Sequence, residues 1–120
     1  MKIKIRIDGE TPAKKNSRIF SFKLKRSFPS SRYTKWHKTA VESIRKQTVH
    51  TFEGPVMIEV TFVHGDNRRR DSDNGLSSIL DTLVDSKVLK DDSWQIVQEV
   101  RILNEYSKGE SYCDIYVQDL

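Results

Sequence analysis

Val56-Met57-Ile58-Glu59-Val60-Thr61-Phe62-Val63-His64 is a nine-residue run dominated by β-branched and aromatic side chains, and it predicts a strand. Residues 71–86 follow a different rule. Leu76, Ile79, Leu80, Leu83 and Val84 fall at i, i+3, i+4, i+7 and i+8, the apolar stripe of a helix, with aspartate at the start of the segment. Between the two periods lies a polar loop, residues 65–70. A strand handing directly to a helix through a charged loop is the unit around which the rest of the chain is arranged.

Downstream, residues 87–94 read as a loop. Residues 95–104 and 111–118 read as two strands joined by a turn around Ser107-Lys108-Gly109. Upstream, Gly54-Pro55 marks a turn. Before it, Tyr33, Trp36, Ala40, Val41 and Ile44 lie at helical spacing in a segment that Ser30 or Ser31 can cap and that ends near Thr48, with a basic opposite face. Residues 2–8 alternate strictly, with Ile3, Ile5 and Ile7 on one side and Lys4 and Arg6 on the other, as a half-buried strand does. Residues 9–29 lack sustained periodicity and read as a long loop with room for a short hairpin, the type of segment that tends to carry function. The order is β-α-β-α-β-β. It predicts an α/β (α+β) chain, one small domain over residues 1–120, with a mixed sheet of about four strands packed with two helices.

The chain has 120 residues, 36% apolar and 32% charged, which predicts a compact core under a heavily ionised surface. Its net charge of +4 conceals a division. Residues 1–50 hold fourteen Lys/Arg against three Asp/Glu, a net +11, and the remainder holds seven against fourteen, a net −7. A basic front and an acidic back suggest a polyanion-binding surface beside a carboxylate cluster. No apolar run approaches the roughly 18 residues of a membrane span, and the alternating start lacks the continuous apolar block of a signal peptide. The single Cys113 can form neither an internal disulfide nor a zinc knuckle, so a reducing cytoplasm is the expected location. His37, His50 and His64 lack the i, i+4 spacing of a helical zinc site. No Walker loop, Gly-x-Gly-x-x-Gly or Gly-x-Ser-x-Gly is present, which argues against nucleotide hydrolysis and serine-hydrolase chemistry.

The chemistry-bearing stretch is Asp66-Asn67-Arg68-Arg69-Arg70-Asp71-Ser72-Asp73-Asn74, followed beyond the helix by Leu89-Lys90-Asp91-Asp92. Asp71 and Asp73, one residue apart where loop meets helix, can aim two carboxylates at one ion. The later pair can join them only if the sheet returns it to the same place. Taken singly, each aspartate has an ordinary alternative as a helix cap or turn residue. Carboxylates without histidine or thiol company favour a hard cation, Mg²⁺ or Mn²⁺, and such ions work beside phosphates. Arg68, Arg69 and Arg70 supply guanidinium groups suited to phosphate. Acid for metal beside base for phosphate points to phosphodiester hydrolysis.

Arg70-Asp71-Ser72-Asp73-Asn74 resembles the R-D-x-D-N motif of the RusA family of Holliday junction resolvases. Leu89-Lys90-Asp91-Asp92 is similar to the family's later acidic pair. The resemblance extends over nearly the whole chain, through Gly9-Glu10-Thr11-Pro12-Ala13-Lys14-Lys15-Asn16 and the helix start Phe28-Pro29-Ser30-Ser31-Arg32-Tyr33-Thr34-Lys35-Trp36. It implies a homodimeric, Mg²⁺-dependent endodeoxyribonuclease that cuts four-way DNA junctions by paired symmetric nicks. The catalytic and metal-binding carboxylates it implies are Asp71, Asp73 and Asp92, with Arg70, Asn74 and Asp91 in support. Phosphate contacts fall to Lys14, Lys15, Asn16, Arg18, Lys23, Lys25, Arg26, Arg32, Lys35, Arg68 and Arg69. Phe20, Phe22 and Phe28 are candidates for stacking on unpaired bases, whereas Tyr33 and Trp36 share the helix stripe and are expected in the core. One position departs from the family: a lysine usual one helical turn after the second motif aspartate is Ser77 here, leaving Lys14, Lys15 or Lys90 as substitutes. The alternatives in play are a non-catalytic branched-DNA-binding module and a flap or other branched-DNA nuclease.

Overall fold

The computed structural model describes residues 1–14 and 18–120; the expectations for Lys15 and Asn16 lie outside the described residues. Six strands and two helices follow in the order β1 (Lys2–Asp8), β2 (Arg18–Ser21), β3 (Arg26–Pro29), α1 (Ser31–Gln47), β4 (Val56–His64), α2 (Leu76–Asp85), β5 (Val97–Tyr106) and β6 (Tyr112–Asp119). Four strands form one mixed sheet in the order β1-β6-β4-β5, and β2 and β3 form a separate hairpin. The fold is the α+β arrangement the sequence predicts, with that hairpin added inside the long loop.

The alternation in the strands sets the layers. Ile5 and Ile7 of β1, Ile58, Val60 and Phe62 of β4, and Cys113, Ile115 and Val117 of β6 turn the same way and meet Ala40 and Ile44 of α1 and Ile79 and Leu83 of α2 in one contiguous core. Both helices therefore cover one face of the sheet. The other face carries Lys4, Arg6, Glu59, Asp114 and Tyr116, with the Arg6 guanidinium on the Asp114 carboxylate at 2.7 and 3.0 Å. No helix among the described residues is long and apolar enough to cross a membrane.

Local chemistry fixes the ends of each helix. The Ser30 hydroxyl accepts from the Tyr33 N–H at 3.1 Å and caps α1, a contribution of about 1 kcal/mol. Arg45 and Lys46 lie in its last turn, where the helix dipole favours cations. Within α1, Tyr33 is buried and Trp36 packs partly against the core, as their stripe position requires. The second helix begins at Leu76 rather than at Asp71. Residues 71–75 form a turn, and Gly75 is wedged so closely that a Cβ there would stand 2.8 Å from the Phe62 ring and 2.9 Å from the Thr11 methyl. Gly75 is the N-cap of α2, where glycine is well tolerated, and here it lets α2 dock on β4.

The two strands at residues 95–104 and 111–118 shift slightly, to Val97–Tyr106 and Tyr112–Asp119, and they do not pair with each other. β5 runs parallel to β4 at the sheet edge, with Val56 opposite Val97 and His64 opposite Tyr106. β6 enters between β4 and β1, antiparallel to both. The connection between them folds over the end of β4, where Ser107 N–H donates to His64 O and Gly109 N–H to Gly65 O. A Cβ at residue 65 would meet the Ser111 hydroxyl at 2.7 Å and the Glu110 carbonyl oxygen at 3.1 Å, which is why glycine stands there.

Candidate active site

The C-terminal end of β4 delivers the chain into the acidic turn, and polar side chains from three distant segments hold that turn. Glu10 accepts from Arg70 Nε at 2.8 Å and faces His64 Nδ1 at 2.5 Å. The other ring nitrogen of His64 faces Asn104 Oδ1 at 2.8 Å, and Asn104 Nδ2 donates to the Ser72 carbonyl at 2.9 Å. Arg70 also donates to Asp66 at 2.9 Å. Glu10, His64, Asn104 and Arg70 therefore form a connected brace from the end of β1, the end of β4 and the edge strand to the peptide between Asp71 and Asp73. A cleft of about 280 Å³ opens beside this brace, lined by His64, Asp66, Arg68, Arg70, Ser72 and Tyr106 among others.

The brace changes the expected roles of the arginines. Arg70 is only 19% exposed and its guanidinium is taken by Glu10 and Asp66, so it secures the loop. Its presence holds the Asp66 carboxyl below the usual carboxylate range, and Asp66 in turn raises Arg70. Arg68 and Arg69 are largely exposed; Arg69 reaches Asp71 at 3.5 Å and Arg68 reaches Asp66 at 3.7 Å. These two remain suited to phosphate.

Asp71 and Asp73 do not cap α2. The capping position is Gly75, which has no side chain to offer, and the turn closes through backbone bonds from Asn74 N–H to Asp71 O and from Leu76 N–H to Asp73 O, each 3.1 Å. Among the described residues Asp71 meets only Arg69, and the exposed Asp73 carboxylate has no hydrogen-bond or ion-pair partner. Asn74 contributes its backbone N–H to the turn.

The second acidic pair lies elsewhere. It precedes β5, whose first residue pairs with the first residue of β4, whereas the 71–75 turn follows the last residue of β4. The two acidic groups thus occupy opposite ends of a nine-residue strand, about 26 Å long at strand rise. Within one chain, no group of three His, Cys, Asp or Glu side chains among the described residues is gathered as a metal requires. The Ser93 hydroxyl and the backbone N–H groups of Asp92 and Ser93 hold the Asp91 carboxyl below its ordinary range. Asp92 is exposed.

A family model described as Endodeoxyribonuclease RusA matches residues 8–117. The chain belongs to the RusA endodeoxyribonuclease family. It is also similar to the crossover junction endodeoxyribonuclease RusA of Aquifex aeolicus (strain VF5), 28% identical over 106 residues that cover 84% of this chain and 79% of that protein. Membership makes the chain an endodeoxyribonuclease, a hydrolase of DNA phosphodiesters, and the exposed carboxylates beside exposed arginines suit that chemistry.

The remaining basic residues divide by environment. Lys14 is paired with Asp81 at 2.5 Å, a bond that raises its pKa, and Lys90 is paired with Glu53 at 2.5 Å. Neither stands free in the place of the lysine that Ser77 lacks, and Lys15 lies outside the described residues. Arg18 is folded back on Ser27 across the hairpin, whereas Lys23, Lys25 and Arg26, with Arg32 and Lys35 of α1, are exposed. The lone thiol of Cys113 is buried, which pushes it up to about 12 and leaves no thiolate for a soft metal or for nucleophilic attack. Sequence reasoning missed Glu10, His64 and Asn104. A single carboxylate heading a basic segment was the available signal for Glu10; the partners of His64 and Asn104 are 32 residues or more away in sequence and gave none.

Proposed function

We propose that the protein resolves four-way DNA junctions as a homodimer, using Mg²⁺, or Mn²⁺ in its place, held by Asp71 and Asp73 of one subunit and Asp92 of the partner subunit. The observation that carries this reading is the acidic turn itself: the backbone and the Asn104 amide hold its shape, so both carboxylates are left exposed, with Asp73 unpaired and Asp71 meeting only the exposed Arg69 among the described residues. An all-oxygen donor set without neighbouring thiolate fits a hard divalent ion. Such an ion, when bound, supplies Lewis-acid charge at the scissile phosphate and lowers the pKa of an attacking water.

The chain's own residues do the rest. Asp71 and Asp73 would hold the ion, on either side of Ser72, which lines the cleft with Arg68 and Arg70. Arg70, through Glu10 and Asp66, fixes the loop that carries them, and Asn74 closes the turn. Arg68 and Arg69 orient the phosphate; Arg69, already beside Asp71, stands in for the lysine absent at Ser77. Lys23, Lys25, Arg26, Arg32 and Lys35 grip backbone phosphates without reading sequence.

The distance between the acidic groups and the symmetry of the substrate both support the dimer. An isologous pair can exchange their Asp92 ends and so complete two sites at once, matching the two equivalent strands of a four-way junction. The β5 edge, with Val100, Leu103, Tyr106 and the preceding Trp94 exposed, is apolar enough to take part in such a contact. The lone thiol fits a reducing compartment, and the cytoplasm is the proposed location.

A fixed synthetic four-way junction, a flap and a linear duplex, incubated side by side with protein and Mg²⁺, test the reading. Paired nicks in the junction are expected, faster than cutting of the flap and abolished by chelator. Preference for the flap would reassign the substrate, and tight junction binding without cutting under any divalent ion would favour a non-catalytic module.

A further inference from the structure

Among the described residues, the β2–β3 hairpin holds the densest group of outward-facing apolar side chains in sequence. Within Arg18–Ser21, Arg26–Pro29 and the 22–25 turn, Ile19, Phe20, Leu24 and Phe28 are exposed and Phe22, at the tip, is 87% exposed. The rings of Phe20 and Phe22 meet edge to face at 5.0 Å and cover little of each other. A two-stranded hairpin that packs so little of itself is marginal in water, and grouped exposed apolar side chains usually mark a contact surface.

Charge decides what that surface meets. From Thr11 to Val41 the chain carries nine Lys/Arg and no Asp/Glu, so the hairpin tip stands in an uninterrupted positive field. Lys23, Lys25 and Arg26 alternate with Phe22 and Leu24 around the turn, and Lys25 takes a left-handed conformation, φ 52°, that a lysine adopts at a cost. A protein surface of matching hydrophobicity would have to bring its own compensating acids; a nucleic acid offers a flat apolar base between two phosphates. The described chain that precedes the hairpin is tied to α2: Ser78 Oγ donates to Pro12 O at 2.5 Å and Lys14 pairs with Asp81, about two helical turns beyond Asp73.

We propose that this hairpin is a base-contacting wedge: Phe22, with Leu24, enters the branch point of the DNA and takes an unstacked nucleobase against its ring, while Lys23, Lys25 and Arg26 hold the flanking phosphates. Stacking of this kind is tolerant of sequence because every base has a π-face. Wedges of apolar side chains open base steps in the same way in other DNA-bending proteins. The proposal rests on the junction-cutting reading and deepens it by naming the element that recognises the branch.

The test uses a four-way junction carrying 2-aminopurine at the branch point, with Phe22→Ala and Phe22→Trp. In chelator, the unmodified protein is expected to change 2-aminopurine fluorescence on binding as the base leaves the DNA stack; Phe22→Ala loses that change and weakens binding by about fivefold or more, and Phe22→Trp restores the affinity while quenching the base that stacks on it. In Mg²⁺, Phe22→Ala slows cutting of the fully paired junction by about tenfold, and two unpaired thymines placed at the branch point restore the rate. Unchanged fluorescence and rate in Phe22→Ala overturns the wedge while leaving the nuclease reading standing. Equal slowing on both junctions also overturns it, as does conversion of a dimer to a monomer in sedimentation, which would assign the tip to a second copy of the chain. If the unmodified protein cuts no branched DNA, the nuclease reading fails and the wedge with it.

Discussion

The two acidic groups at the ends of β4 are built on different plans. At residues 71–75 the backbone closes the turn and the Asn104 amide, placed by His64 and Glu10, holds the peptide between the aspartates. At residues 91–93 Ser93 and the adjacent N–H groups hold the Asp91 carboxyl below its ordinary range. The Asp71 and Asp73 carboxylates thus carry no structural role in their turn, and among the described residues Asp71 meets only the exposed Arg69. Whether an aspartate is available for chemistry depends on who holds the turn, which its own identity does not reveal.

The largest expected effect separates the free carboxylates from the engaged one. Asp73→Asn should lower Mg²⁺-dependent junction cutting by about a thousandfold, the scale of the several kcal/mol a metal contributes, with binding retained. Asp91→Asn should stay within a factor of about three. Equal losses would erase the distinction between the two plans.

A mixed dimer tests whether the two ends meet across subunits. A chain bearing Asp71→Asn and Asp73→Asn, combined with one bearing Asp92→Asn, should regain a single working site and nick one strand, although each variant alone is inactive. Continued inactivity in the mixture would place all three carboxylates in one chain. Next in size, Asn104→Ala frees the Ser72 carbonyl without touching a carboxylate. It should lower kcat about tenfold, the lower end of what misplacing a reacting group loses, while KM and melting temperature change little. A change confined to KM would assign Asn104 to substrate binding.

The smallest effect lies at acid pH and should appear at both ends of β4. Asp66 and Asp91 have folded pKa values below their unfolded ones, so their contribution is present above the ordinary carboxylate range and is lost as pH falls through the depressed folded values. Melting temperature should therefore decline on acidification below about pH 4. Asp66→Asn and Asp91→Asn should each flatten that decline slightly, and a steeper decline in either variant would contradict the assigned sign.

Much of this molecule is legible one segment at a time. The alternation of Ile3, Ile5 and Ile7 and the stripe from Leu76 to Val84 depend on the period of a single element, and both appear in the fold as read. The acidic motif was legible for the same reason, since Asp71 and Asp73 are neighbours in sequence. The placement of Asp92 was not, because it depends on β5 lying parallel to β4 and on β6 entering between β4 and β1, which are pairings between distant segments. The start of α2 was misplaced by five residues because the need for Gly75 comes from the Phe62 ring and the Thr11 methyl. The hairpin was faint because both of its faces are exposed, so burial imposes no alternation on it.

The position of β6 also governs when the molecule can form. This strand is the last in chain order, yet it separates β1 from β4, and its residue Gln118 lies opposite Lys2. Until it arrives, β1 has no neighbour in the sheet and the connection that closes over Gly65 is absent. Helices and hairpin can take shape from local contacts, but the four-stranded sheet closes only once β6 has found both of its neighbours, so its completion depends on contacts between distant segments.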